Sequence, residues 1–178
     1  MSQVEIDRAQ IDQAQIDHVL GWLQTTPIAS AIGENEILFP WIESVHVLAI
    51  VLVVGTISIV DLRLLGIASR DLTVRRVMRD VIPYTWGAFA VAAITGLLMF
   101  SSDAVHYGHN RLFQGKLVLL ALAGLNLGLF HLIGVRDIER WDDKGANTPI
   151  AAKAAATVSL LLWVGVVALG RGIGFTMH

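Results

Sequence analysis

Six histidines and no cysteine define the chemistry open to this 178-residue chain. Thiolate nucleophiles, zinc–thiolate sites and disulfides all need a residue type it lacks, so a metal centre is confined to imidazole, thioether and oxygen ligands. Two histidines fall within long apolar runs. His46 follows Glu43 by one helical turn, and His131 follows Gly124 and Gly128 by seven and three residues, with Ala121 extending the same face. Ionisable side chains in such runs are costly and mark a pathway, a cofactor or a partner. Small residues beside His131 leave room for something flat, such as a porphyrin, to approach the backbone. The same spacing is also a signature of close helix packing, and a lone intramembrane histidine also serves as a hydrogen-bond partner for a neighbouring helix.

The remaining histidines lie toward one end. His106 and His109 are expected in a short loop between the second and third apolar runs, His18 in the N-terminal segment, and His178 beside Met177 at the C-terminus. Imidazole is the usual ligand of haem iron, copper and zinc, so this clustering predicts a metal site near His46, with His106 or His109 as a further ligand. Solvated loop histidines are the plain alternative. Lys116 and Arg171 are placed to pair with haem propionates above His46, and Arg63, Arg79 and Arg136 to do so on the other side; snorkelling and topology explain the same cations without a cofactor. Asp61 and Arg63 are expected to pair, and Asn126 to bond between helices. Trp41, Trp86 and Trp163 are expected as interfacial anchors or core packing.

The elements that must position these residues follow from composition. The chain is 54% hydrophobic and 16% charged with a mean hydropathy of +0.63, against about 25% charged for soluble domains. Residues 37–60, 81–100, 117–135 and 154–170 are each about the length that crosses a ~30 Å hydrocarbon core as a helix. Pro40, Pro83 and Pro149 are expected at or just before span starts, with no proline inside a span. No basic n-region precedes the first run, so no cleavable signal peptide is expected. The fold class is therefore all-α: an up-and-down four-helix transmembrane bundle over 37–178, with spans about 37–62, 80–101, 115–136 and 151–173, preceded by a polar segment over 1–36. Within that segment Met1 to Gln15 is expected to be mobile, because its Ile-Asp repeat of five residues steps ~140° and builds no apolar face. Ile16, Val19, Leu20 and Leu23 predict a short helix near 16–24, lying at the membrane surface or docked on the bundle.

Orientation comes from the basic residues. Arg63, Arg70, Arg75, Arg76, Arg79, Arg136, Arg140, Lys144 and Lys153 share one side, which predicts that this side is cytoplasmic and that both termini are periplasmic in a bacterial inner membrane. A net charge of −2 without a basic run argues against a nucleic-acid partner. At ~1.5 Å of rise per residue, His46 lies roughly 7 Å outward of the midplane and His131 roughly 8 Å inward. They cannot share one metal ion, but they can belong to two stacked sites.

The segments "FPWIESVHVLAIVLVVGTISIVDLRLLG", "YTWGAFAVAAITGLLMF", "NRLFQGKLVLLALAGLNLGLFH" and "LLLWVGVVALGRG" resemble a family of small four-helix bacterial inner-membrane proteins without an assigned function. Histidines on a four-span bundle are more loosely similar to the cytochrome b561 class and to CopD-like membrane domains. That likeness implies haem b, in one or two copies, with His46 and His131 as axial ligands and electron transfer involving a quinone or a periplasmic partner. The b561 pattern is incomplete, since His131 has no second intramembrane histidine beside it. Two alternatives stand: a periplasm-facing copper or zinc site built on His46, His106 and His109, and a non-catalytic structural or oligomeric subunit that packs against copies of itself or a partner through Gly124, Gly128 and Thr95-Gly96. No nucleophile–base pair, phosphate loop or paired intramembrane carboxylates point to other enzymatic chemistry.

Overall fold

The computed structural model describes residues 3–69, 71–130, 132, 142 and 148–176. Among these there is no strand, and seven helices follow one another: α1 (Gln3–Gln24), α2 (Pro27–Gly33), α3 (Leu38–Leu64), α4 (Val74–Ser102), α5 (Ala104–His109), α6 (Arg111–Leu129) and α7 (Ile150–Thr176). Four of them, α3, α4, α6 and α7, are long and apolar enough to cross a membrane. Their apolar side chains point outward: α6 has no buried residue, and Val118 and Leu125 on it are each 58% exposed. Such a surface requires lipid, which makes the chain a multi-pass membrane protein.

Between helices in lipid there is little hydrophobic drive, so contacts depend on close approach of small residues. Ala88, Ala92 and Gly96 recur every fourth position on α4 and form the face against which α3 makes its most extensive contact. On α7, Ala152, Ala156, Trp163, Val166 and Ile173 are buried, spaced four, seven, three and seven apart, a continuous inner stripe. Helix α7 contacts both α3 and α6, so the spans run in the order α4, α3, α7, α6. One core gathers Val53, Ala88, Trp163 and Val166; the other, at the far end, gathers Leu64, Val74, Phe130, Ala152 and Ala156. Asn126 bonds between helices as its position suggests, its Nδ2 donating to the Ala155 carbonyl at 3.0 Å. Trp163 is core, whereas Trp41 and Trp86 are exposed.

Several boundaries differ from the sequence reading. Helix α1 begins at Gln3, so the segment expected to be mobile is helical; its Ala, Gln and Glu residues are good helix formers even without an apolar stripe. Pro83 lies inside α4, not at its start. The helix begins nine residues earlier because its first amides are satisfied: Thr73 Oγ1 accepts from Arg76 N, and the Asp142 carboxylate accepts from Val74 N at 2.5 Å and Arg75 N at 2.7 Å. Arg75, Arg76 and Arg79 therefore ride on a helix and not in a loop. Helix α3 ends at Leu64, and just past its cap Gly66, with a φ of +71°, makes the left-handed turn that a Cβ would resist.

Candidate cofactor site around His46

His46 sits on α3 where α4 passes closest. A Cβ built on Gly96 would lie 3.0 Å from the ring's Cε1, so the imidazole rests directly against the α4 backbone. Its Nδ1 is 2.9 Å from the Thr95 hydroxyl. That hydroxyl has one hydrogen and gives it to a backbone carbonyl of its own helix, Val91 at 2.7 Å or Ala92 at 3.2 Å. With its hydrogen so engaged the hydroxyl accepts from His46, and the matching tautomer carries its proton on Nδ1 and a lone pair on Nε2. Thr95 and Gly96 thus face the chain's own α3. Thr95 was not legible as a partner because two residues on different helices reveal no register until the helices pack.

Lys116, half-buried on α6, acts electrostatically on the His46 ring, and its Nζ lies 3.7 Å from where a Gly170 side chain would begin. Above this level Phe100, Tyr107 and Phe113 form an aromatic cluster, with Phe100 and Phe113 stacked at 5.3 Å between centroids. Tyr107 is within electrostatic range of both Asp103 and Glu43. Burial, then Asp103, then Glu43 push its phenol above the ordinary 10.0. One end of the bundle thereby collects an imidazole, an ammonium, a phenol and two carboxylates.

The other expected site residues are placed differently. His106 and His109 lie on helix α5, where an Ala-Val-His-Tyr-Gly-His turn closes, and not in a loop. His106 Nδ1 is 2.7 Å from Asp103 Oδ1; His109 Nδ1 is 2.9 Å from the Val105 carbonyl and its Nε2 3.2 Å from Asp17 Oδ1. That last contact, the Gln24 to Asp103 bond of 3.1 Å and Leu20 against Gly108 dock α1 on the bundle. Val19 and Trp22 remain exposed. No group of three histidine or carboxylate side chains suited to a metal ion gathers among the described residues. His18 is exposed on α1. Arg171 stacks over Phe175 at 4.7 Å. Arg63 is buried and donates from Nε to the Leu72 carbonyl at 2.6 Å, and no ion pair joins it to Asp61. Arg79 is exposed. Gly124 and Gly128 have nothing within 4 Å of a built Cβ, so their face of α6 is open. His131, Arg136, Met177 and His178 lie outside the described residues.

A four-span, all-α membrane bundle with, among the described residues, one oriented intramembrane imidazole is the class these features define. The chain belongs to the family of unknown function DUF6644, whose model matches residues 21–176. No curated protein and no solved structure matches it.

Proposed function

We propose that the protein is a b-type haem protein of the bacterial inner membrane, with His46 binding iron through Nε2 and both termini on the periplasmic side. One observation carries this reading: Nδ1 of an intramembrane imidazole is engaged by the Thr95 hydroxyl, on a ring held between two helices, and the tautomer in which Thr95 accepts has a lone pair on Nε2. A metal-ligating histidine characteristically has its other nitrogen engaged in this way. Lys116 is the cation placed to pair with a propionate, and the nine basic residues of the opposite side support the orientation. Haem held there supplies one-electron chemistry between a quinone or cytoplasmic-side donor and a periplasmic acceptor. His131, which follows Gly124 and Gly128 in the sequence, is the candidate for a second haem.

Protein purified after expression with ample haem is expected to show a Soret band that shifts on reduction. His46→Ala abolishes that band or the part of it due to this site, Thr95→Val changes its position, and His131→Ala tests the second site separately. Colourless protein overturns the reading. Elemental analysis of the same preparation separates haem iron from a copper or zinc site, which requires stoichiometric metal lost on replacing His106 and His109. The open α6 face favours a second reading, a homo-oligomeric subunit, in which His46→Ala and His131→Ala change no bound metal.

A further inference from the structure

Asp61 lies at the end of α3 remote from His46. It is 5% exposed, and its Oδ2 has no hydrogen-bond partner among the described residues. The expected counter-ion is engaged elsewhere, since Arg63 turns to the Leu72 carbonyl. The Ser159 hydroxyl of α7 is the polar neighbour of the carboxyl; among the described residues no charged group acts on it from its own helix or from the helices around it. Among the described residues an anion so little exposed has neither a cation nor a full set of donors beside it, and both deficits are removed when the carboxyl is neutral.

We propose that Asp61 is a proton-binding site, a carboxyl that carries a proton within the bundle and exchanges it with the aqueous phase at its own end. Further along α3 come the half-buried Ser58, one turn from Asp61, and then the Thr85–Thr56 bond, 2.9 Å long. Past them the packed apolar cluster of Val53, Ala88, Trp163 and Val166 closes the interior. The site therefore communicates with one face only. His46 is fifteen residues away, about 22 Å of helical rise, so this assignment does not rest on the haem reading.

The test is reaction of the full-length protein in detergent with dicyclohexylcarbodiimide, which modifies protonated carboxyls in apolar surroundings, followed by peptide mass mapping. The expected result at neutral pH is an adduct on Asp61 at least about tenfold more abundant than on any exposed carboxyl, a ratio equal to one pH unit of proton affinity. Asp61→Asn removes the adduct while the protein stays folded, because the amide copies the neutral acid. Should that variant not fold, wild-type protein carrying isotope-labelled aspartate is expected to show the infrared band of a protonated carboxylic acid, lost on raising the pH. The proposal is overturned by an unmodified Asp61 in folded protein, by an infrared spectrum with only carboxylate bands, or by labelling that sodium chloride but not potassium chloride suppresses at constant pH. The last result would make the site one for a metal cation.

Discussion

Residues near the aqueous ends of the bundle give the cleanest titration signals, and Tyr107 is the most informative. Burial together with the Asp103 and Glu43 carboxylates makes its phenolate unfavourable in the folded state. The folded pKa is raised, so the stability that Tyr107 contributes is fully present below the unfolded value of 10.0 and is lost as pH rises through the folded value. In a Tyr84→Phe background, which leaves a single tyrosine, the phenolate absorbance is expected to reach its midpoint above 10.0. Asp103→Asn should lower that midpoint only in part, since burial is the larger cause; a midpoint at or below 10.0 in the parent would contradict the packing described. At this scale the sequence exposed the candidates His46 and Lys116, because charge inside an apolar run is conspicuous by itself. It did not expose Thr95, Tyr107 or the Ser159 neighbour of Asp61, since each depends on what a second helix brings near.

Elements were legible wherever apolar length sets them and less so at their ends. Spans of about twenty apolar residues announced α3, α4, α6 and α7, yet the true start of α4 depends on Thr73 and on Asp142, sixty-eight residues away from the amide it caps. Proline was misleading for the same reason, because a helix anchored that well upstream runs through Pro83. Helix α6 shows a cap of the local kind: Asn110 Oδ1 accepts from Leu112 N at 2.8 Å and Phe113 N at 3.2 Å, while its Nδ2 donates to Thr176 Oγ1 on α7 at 3.0 Å. Asn110→Ala is expected to cost about 0.5–2 kcal/mol, read from the denaturation midpoint in detergent, and Asn110→Asp to recover the capping share but not the link to Thr176. Equal losses in the two variants would show that the bond to α7 outweighs the cap.

At the level of the whole molecule, four spans bring the end of α7 to the side where α1 and α5 lie. The chain has no cysteine, so single-cysteine variants have no background. Gln10→Cys and Asp71→Cys are expected to react with a membrane-impermeant maleimide from opposite faces, with Gln10→Cys labelled in intact spheroplasts and Asp71→Cys only after lysis; labelling of both before lysis would refute the four-span topology. What the sequence determined by itself was this topology and the all-α class, because the bilayer imposes length and apolarity residue by residue along each span. Tertiary structure alone decided which polar groups meet. The ring of His46 finds Thr95 and Gly96 on another helix, Lys116 joins them from a third, and Arg63 turns away from Asp61 toward Leu72. Hydrogen-bond partners and unpaired charge are properties of distance across helices, and distance is fixed only once the small residues of α4 and α7 have let the helices approach.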